Sequence, residues 1–459
     1  MAAQTYDQLV NVTPGVNEYK VCHAQALYKS GQYDEAMRAA MMVEDPAFRD
    51  RMLHLQAAIK YEQDDLPGTK SYVDQCLADD PETVVICAAV LYKEGEFEQA
   101  MKKFNEAQNG LGYQSDLAYN IALCCYKLKQ YAQAMTHINN IIDKGIMSHP
   151  ELSVGSSAPG YEVRSVGNSQ TLKETALIEA FNLKAAIEFQ LTNFDGAREA
   201  LHDMPPRSEA ELDPVTLMNQ ALMNMDTNAD DGFQKLNFLL SQPAFPPETF
   251  GNLLLLYCKH MYYDVAADVL ARNIHLHDSC LSKELYDYLE ATILTQSSPE
   301  EAYRKFDQLA HTHTTVLRQL TKEVHDARIA LNQERTKQAI KDFDDAVERY
   351  IPVLMAQAKI YWDIENYAMV ERIFKQSAEF CSEHTVWKLN VAHVFFMQEN
   401  KYTDAIRFYQ PAIQKKATSG NSSILDVTAI VLANLCVSHI MTNQVTCWLP
   451  HYIWWLYLL

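Results

Sequence analysis

The sequence contains little glycine and little proline, the two residues that most often interrupt regular secondary structure. Only 14 glycines and 16 prolines occur in 459 residues, which excludes collagen-like chains and low-complexity disordered chains. Hydrophobic residues make up 48% of the chain, enough to bury a substantial core. The composition therefore predicts a folded protein that is mostly helical.

Positive charge is also scarce. The chain has 39 Lys and Arg side chains against 59 Asp and Glu side chains, so its formal net charge is −20. Binding to nucleic acid or to an anionic membrane requires clustered basic side chains, so this balance argues against both as the main partner. Two interpretations of the acidic surface stay open: a partner with a basic surface, or an exterior that only keeps the protein soluble.

The Cys-x-x-Cys motif and a secretion signal are both absent from the sequence. None of the ten cysteines forms a Cys-x-x-Cys pair, and several lie within helical apolar patterns, as buried free thiols do. Residues 1–7 lack the basic region and the apolar stretch with which a signal peptide begins. We therefore expect a protein of a reducing compartment, either the cytosol or a space continuous with it.

A repeated spacing of small and aromatic residues is the main pattern that is present. An alanine is followed after four residues by an aromatic side chain, after nine by Tyr, Phe or Leu, and in most copies after twelve by a second small residue. The six copies are Ala24, Tyr28, Tyr33, Ala36; Ala57, Tyr61, Leu66, Thr69; Ala88, Tyr92, Phe97, Ala100; Ala122, Tyr126, Tyr131, Ala134; Ala185, Phe189, Phe194, Ala197; and Ala358, Trp362, Tyr367, Val370. This unit is the signature of the tetratricopeptide repeat, a helix–turn–helix of about 34 residues. We predict an all-α tetratricopeptide-repeat superhelix, an α-solenoid that acts by binding.

The register of the repeats predicts where the helices turn. Gly31 and Gly95 stand just before the second aromatic position, where a turn between two helices needs a left-handed backbone. Ala2 lies one repeat length before Ala36, which makes it part of a second helix with no first helix ahead of it. We therefore expect an N-terminal portion to be missing from this chain, since an array normally begins with a capping repeat.

The pattern divides the chain into six segments. They are an N-terminal repeat array over 1–143, a surface loop over 144–172, middle repeats over 173–310, a charged helical hairpin over 311–350, a C-terminal repeat array over 351–444 and a hydrophobic tail over 445–459. Clustered Gly, Ser and Pro residues predict the loop. The tail holds three of the five tryptophans and is too short to span a membrane, so we expect an alternative or aberrant C-terminus.

Several stretches between the repeats are more specific than the repeats themselves. Residues 149–155 read His-Pro-Glu-Leu-Ser-Val-Gly, and residues 163–168 read Val-Arg-Ser-Val-Gly-Asn. With residues 180–188, 219–226, 245–259, 350–362 and 387–400, they resemble the tetratricopeptide repeat protein 30 family, the all-repeat subunit of intraflagellar transport complex B. The resemblance covers roughly residues 5–444 and departs from the family pattern at both ends.

This resemblance implies a function as well as a fold. Members of the family look like closed right-handed superhelices that wrap around an extended proline-rich segment of a core complex-B subunit. We therefore expect a non-enzymatic scaffold in the cilium, the cytoplasm and the ciliary base, with complex-B core subunits as partners and the kinesin-2 motor as an indirect one. The family also implies roles in anterograde intraciliary transport, cilium assembly and polyglutamylation of axonemal tubulin.

The aromatic residue at the second position of each copy is the candidate partner-binding residue. These residues are Tyr28, Tyr61, Tyr92, Tyr126, Phe189 and Trp362. If they point into the superhelix, they form an aromatic groove that suits a ligand in the polyproline II conformation. The other interpretation is that they pack between helices, as aromatic residues at helical spacing usually do.

No set of residues in the sequence indicates catalysis, a cofactor or a metal. His275 and His277 are two residues apart, as are His311 and His313, so a helix would place each pair on different faces. The motifs of phosphate-binding loops, serine hydrolases, zinc proteases and protein kinases do not occur. We therefore predict that the protein is not an enzyme and binds no cofactor.

An adaptor of the co-chaperone type is the alternative function. Such a protein clamps a C-terminal carboxylate with Lys, Arg and Asn side chains that converge on the inner face of consecutive repeats. In this sequence the corresponding side chains, Lys60, Asn120 and Lys184, are scattered, and the net charge of −20 disfavours an acidic ligand. The scaffold function is therefore the preferred prediction.

Overall fold

All regular structure is helical in the part of the chain that the structure describes. The computed structural model describes residues 2–155, 164–418 and 429–443, with residues 412–418 described by their backbone alone. Within these ranges no strand occurs. The chain forms two compact units, Met1–Pro246 and Pro247–Leu459, here called unit 1 and unit 2. The prediction of an all-α tetratricopeptide-repeat fold is confirmed.

Unit 1 is built from fourteen α-helices within its described residues. They are α1 (Ala2–Val12), α2 (Asn17–Lys29), α3 (Tyr33–Met41), α4 (Arg49–Glu62), α5 (Leu66–Val73), α6 (Pro81–Lys93), α7 (Phe97–Leu111), α8 (Ser115–Lys127), α9 (Tyr131–Ser148), α10 (Gln170–Glu174), α11 (Leu177–Gln190), α12 (Phe194–His202), α13 (Pro214–Asn224) and α14 (Ala229–Leu240). Short 3-10 turns at Pro46–Phe48, Pro150–Leu152 and Glu209–Glu211 connect some of them.

Unit 2 contains ten α-helices in its described residues. They are α15 (Glu248–Lys259), α16 (Tyr263–Arg272), α17 (His277–Cys280), α18 (Lys283–Ser297), α19 (Pro299–Ile329), α20 (Gln333–Asp363), α21 (Tyr367–Cys381), α22 (Thr385–Met397), α23 (Tyr402–Thr418) and α24 (Ala429–Met441). A 3-10 turn at Ile274–Leu276 precedes α17. The sequence predicts that α24 begins at residue 425, but residues 425–428 lie outside the described ranges.

Consecutive helices pack as hairpins within each unit. In unit 1, α2 packs on α3, α4 on α5, α6 on α7 and α8 on α9, and in unit 2, α19 packs on α20 and α22 on α23. The alanines at the small positions of the pattern are completely buried in these pairs, for example Ala24, Ala36, Ala88, Ala100 and Ala122. Because no larger side chain separates them, the two helices approach closely, which is the physical reason for the repeated alanines.

Most of the described turns within a helical hairpin contain a residue with a left-handed backbone. Gly31 and Gly95 have φ angles of 77° and 86°, which confirms the turn prediction. In other turns the left-handed residue is not glycine, and its φ lies between 51° and 60°. These residues are Asp64, Lys129, Thr192, Met261, Leu331, Glu365 and Asn443. In eight of these turns the left-handed N–H donates to the carbonyl three residues earlier, and the next N–H donates to the carbonyl five residues before it. These two bonds satisfy the last carbonyls of the first helix and set the length of the turn.

The segment predicted as a surface loop over 144–172 is shorter and better anchored than its sequence suggests. Helix α9 continues to Ser148, because Gly145 lets it approach Leu177; a Cβ at Gly145 would lie 2.8 Å from Leu177 Cδ2. The Gly155 N–H donates to the Asp203 carbonyl over 2.9 Å, and the Val166 N–H donates to the Pro206 carbonyl over 2.9 Å. The residues between them, 156–163, lie outside the described residues.

The segment predicted as a charged hairpin over 311–350 is the central part of a longer pair of helices. α19 and α20 have 31 residues each and meet at a turn at residues 330–332. The proposed division into six segments stays a prediction, because the two compact units meet at Pro246 and Pro247, inside the segment predicted as middle repeats. The tail predicted over 445–459 lies outside the described residues.

Candidate functional site

Five of the six candidate aromatic residues contact the second aromatic residue of their own repeat. The ring centroids of Tyr28 and Tyr33 are 6.0 Å apart, those of Tyr92 and Phe97 5.2 Å, those of Tyr126 and Tyr131 6.0 Å, those of Phe189 and Phe194 5.5 Å and those of Trp362 and Tyr367 5.2 Å. All five pairs are tilted or edge-to-face, the geometry that aromatic quadrupoles favour. Each pair closes the turn between the two helices of its hairpin.

Tyr61 is the exception, because Leu66 occupies the second aromatic position of its repeat. The Lys93 ammonium lies over the Tyr61 ring, 4.0 Å from its centroid, and also donates to the Tyr61 carbonyl over 2.9 Å. The Tyr61 hydroxyl donates to the Ala89 carbonyl over 3.4 Å. Tyr61 therefore contacts the next repeat along the chain rather than its own turn.

The candidate tyrosines of unit 1 lie in neighbouring repeats and are half-buried. Burial raises the pKa of Tyr28, Tyr61, Tyr92 and Tyr126 above the usual value, because a phenolate loses hydration there. Phe189 is 45% exposed. These aromatic side chains thus pack between helices and remain partly exposed to solvent.

Unit 2 contains a groove that the repeat pattern alone does not reveal. It encloses about 850 Å³ between α15, α16, α18, α19 and α20. Four half-buried tyrosines line it: Tyr263, Tyr288, Tyr303 and Tyr361. The rings of Tyr303 and Tyr361 meet edge-to-face, with centroids 5.1 Å apart. We call this cavity the tyrosine groove.

Most of the polar side chains that line the tyrosine groove can donate hydrogen bonds. Burial raises the pKa of Tyr288 and Tyr303, so both hydroxyls keep their protons at neutral pH. The cationic side chains of Lys259, Arg304 and Lys359 also line the groove, against the carboxylates of Glu300 and Asp363. Apolar ring faces beside hydroxyl donors suit an extended peptide whose carbonyls point outward and accept hydrogen bonds, as polyproline II carbonyls do.

The groove tyrosines were missed from the sequence for specific reasons. Tyr263 belongs to a hairpin in which Leu254 and Cys258 occupy the alanine and aromatic positions, so the residue-type pattern is lost although the spacing is kept. Tyr361 directly precedes the candidate Trp362; both rings pack on the unit 2 core, but of the two only Tyr361 lines the groove. The spacing from Leu254 to Ala266 is kept, and the sequence predicts a helical pair around residues 254–270, but it does not reveal that Tyr263 lines a cavity.

Comparison with known proteins decides the family. The chain is 58% identical over 443 residues to intraflagellar transport protein 70A of Xenopus tropicalis, an alignment covering 96% of this chain and 67% of that protein. It is 56% identical over 454 residues to intraflagellar transport protein 70A2 of Rattus norvegicus, covering 97% of this chain and 68% of that protein. The chain belongs to the intraflagellar transport protein 70 family.

This is the family that the stretches between the repeats predict, because tetratricopeptide repeat protein 30 is another name for intraflagellar transport protein 70. Its C-terminal domain model matches residues 249–446, and the tyrosine groove lies in that range. A model of anaphase-promoting complex, cyclosome, subunit 3 matches residues 71–141 in unit 1. A solved tetratricopeptide repeat protein from Parabacteroides merdae aligns with 64% of this chain and 98% of its own, at 14% identity and a TM-score of 0.37.

Two further features of this family member bear on its site. None of the helices in the described part of the chain combines the length and the hydrophobicity that crossing a bilayer requires. Among the described residues, no three His, Cys, Asp or Glu side chains are grouped so that they could hold a metal ion. His277 instead contacts Asp278 and Tyr286.

Proposed function

We propose that this chain is a non-enzymatic scaffold subunit of intraflagellar transport complex B that works in the cilium and at its base. Membership of the intraflagellar transport protein 70 family supports the transport role. The repeat fold supports the scaffold role, because stacked helical hairpins expose long binding surfaces. Within this proposal the protein acts in anterograde transport and cilium assembly, and it contacts the kinesin-2 motor only through other subunits.

The tyrosine groove is the proposed binding site for an extended proline-rich segment of a core complex-B subunit. The single observation that carries this proposal is the convergence of Tyr263, Tyr288, Tyr303 and Tyr361 on one cavity of about 850 Å³. Proline rings can pack on tyrosine faces. The peptide loses little conformational entropy on binding, because the polyproline II conformation is already ordered in the free peptide. Tyrosine hydroxyls beside those faces donate to the ligand carbonyls.

The turn aromatics of unit 1 are a second proposed contact for the same ligand. Tyr28, Tyr61, Tyr92, Tyr126 and Phe189 recur at one position of successive hairpins, as the sequence predicts for a repeated ligand contact. These side chains are partly exposed, which leaves room for proline rings, although Tyr28, Tyr92, Tyr126 and Phe189 also pack on their turns. Trp362 is a weaker candidate than Tyr361, since Trp362 packs on Tyr367 and does not line the tyrosine groove.

A peptide titration tests the binding site. A fluorescently labelled proline-rich peptide from the core subunit is titrated with the full chain and with Tyr303→Ala and Tyr361→Ala variants. We expect each variant to weaken binding by about tenfold, the loss of one aromatic anchor. Tyr262→Ala is the matched control, because Tyr262 neighbours Tyr263 in sequence but does not line the groove.

Further arms of the titration separate the alternatives. Tyr92→Ala and Tyr126→Ala test the unit 1 contact, and circular dichroism checks that each variant is folded. Unchanged affinity in folded Tyr303→Ala and Tyr361→Ala variants would refute the groove as the site. A peptide that ends in a free carboxylate and binds more tightly than its amidated form would instead support the co-chaperone type of adaptor.

A role in polyglutamylation of axonemal tubulin is proposed as a consequence of transport. No set of residues indicates that this chain performs the ligation itself, so we propose that it carries the modifying machinery as cargo of the complex. In cells without this protein, axonemal polyglutamylation should fall while the ligase retains its activity in a cell extract. Loss of ligase activity in the extract would contradict a role limited to transport.

A further inference from the structure

The turn at the end of the long helical pair exposes an unusual apolar residue. Leu331 is 89% exposed and has a left-handed backbone with φ 51°, between α19 and α20. The turn is ordered, since the Leu331 N–H donates to the Arg328 carbonyl over 3.1 Å and Asn332 Oδ1 accepts from the Arg335 N–H over 3.1 Å. We call residues 321–341 the hairpin tip.

Stability alone does not account for leucine at this position. Glycine occupies it at Gly31 and Gly95, and polar residues occupy it at most of the other repeat turns; Met261 is the other exposed apolar example. A branched apolar side chain is strained in a left-handed backbone. When the side chain is exposed, no hydrophobic stabilisation offsets that strain. Ile329, two residues earlier, is 68% exposed as well. Backbone strain and apolar exposure therefore coincide at one ordered position of this turn.

The charge of the hairpin tip is opposite to that of the whole chain. Residues 321–341 hold five Lys or Arg side chains and three Asp or Glu side chains, whereas acidic residues outnumber basic ones 59 to 39 overall. Lys337 pairs with Glu334 over 3.3 Å. Lys322, Arg328 and Arg335 are exposed and form no ion pair with any carboxylate in the described ranges. Basic side chains thus outnumber acidic ones in the hairpin tip that carries Leu331.

We propose that the hairpin tip binds an acidic protein segment that carries an apolar residue. The apolar residue would contact Leu331 and Ile329, and its acidic neighbours would pair with Lys322, Arg328 and Arg335. The net negative charge elsewhere on the chain repels such a segment, so the tip directs it to one place. This site is separate from the tyrosine groove and does not depend on the function proposed for that groove.

The test uses the full chain and one defined probe. The probe is a labelled 16-residue peptide of glutamates and aspartates with two leucines four positions apart, titrated up to about millimolar protein. We expect saturable binding that weakens about tenfold in Leu331→Gly and about tenfold in Arg328→Glu. Binding should also weaken when sodium chloride is raised, because exposed charges are screened.

Leu331→Gly separates docking from a structural role. Glycine accepts the left-handed backbone, so this variant should unfold at the same temperature as the parent chain or slightly above it. Glu365→Gly is the matched control, since Glu365 is at the same turn position in unit 2, with φ 58°. It should leave peptide affinity unchanged.

Three outcomes would overturn the proposal. One is the absence of saturable binding, and another is equal binding by the parent chain and Leu331→Gly. The third is preferential binding, dependent on the same residues, of phosphatidylserine vesicles or of a uridine oligonucleotide, which would assign the tip to a different class of partner. A failure of the tyrosine-groove titration would not affect any of these results.

Discussion

At the scale of single residues, most of the described hairpins turn at one residue with a left-handed backbone. Glycine marks this position only at Gly31 and Gly95, while residues as different as Lys129 and Glu365 adopt it elsewhere. The hydrogen bonds around the turn are the same in both cases. The surrounding helices therefore impose the conformation, and the side chain only sets its energetic cost.

Replacement of a turn glycine should show this cost directly. We expect Gly31→Ala to lower the free energy of unfolding by about 1 kcal/mol, because alanine is strained in a left-handed backbone. No atom lies within 4 Å of a Cβ at Gly31, so steric contact adds nothing to the effect. Gly15→Ala is the control, since Gly15 also has open space and no positive φ. Equal effects of both substitutions in urea denaturation would contradict the prediction.

At the scale of helices, a buried charge connects successive hairpins in unit 2. Glu371 of α21 is buried and accepts from Lys375 of its own helix, from Gln398 over 3.0 Å and from Lys401. Burial by itself would raise the pKa of Glu371, but these hydrogen bonds outweigh it and lower the pKa to about 2. The carboxylate form therefore stabilises the packing of α21 against α22 and the start of α23.

This charge predicts a pH dependence of stability. Because the folded pKa of Glu371 is depressed, its contribution is present above the unfolded value of 4.5 and is lost as the pH falls toward about 2. We expect Glu371→Gln to cost about 1 kcal/mol at pH 7 and less at pH 3. Urea denaturation at both pH values measures the difference, with exposed Glu365→Gln as the control. A cost independent of pH would contradict an ionic role for Glu371.

The helices were easier to predict from the sequence than the site. Alanine and aromatic spacing identified hairpins such as α2–α3 and α8–α9, because buried small residues at close helix contacts are a local requirement. The hairpin of α15 and α16 is predicted only as a helical pair around residues 254–270, without the alanine and aromatic residue types, since Leu254 and Cys258 meet the same packing requirement. The tyrosine groove is not predicted from the sequence, because its four rings come from four different helices and follow no common spacing.

At the scale of the whole molecule, an array of hairpins supplies several surfaces with different chemistry. The tyrosine groove offers aromatic faces and hydroxyl donors, and the hairpin tip offers an apolar residue among cations. Both lie within unit 2, and both are built from α19 and α20. A scaffold subunit can therefore hold one partner at its groove and meet another at the tip of the same helical pair.

The two surfaces should separate in a cellular test. In ciliated cells that lack this protein, the Tyr303→Ala, Tyr361→Ala double variant should fail to restore cilia, because groove binding is proposed to anchor the subunit in complex B. The Tyr262→Ala variant should restore them as well as the parent chain does. Cilium length by microscopy and co-purification with core complex-B subunits are the measurements. Full restoration by the double variant would contradict a groove that anchors the subunit.

The sequence by itself determined the repeat class, the close helix packing and the family. Each follows from local spacing or from residues contiguous in the chain, and local sterics suffice to encode them. Only the tertiary structure decided which aromatic residues share a cavity, which turn leaves Leu331 exposed and which charge Glu371 meets. These depend on how side chains from separate hairpins converge, and that convergence follows from packing geometry rather than from spacing along the chain.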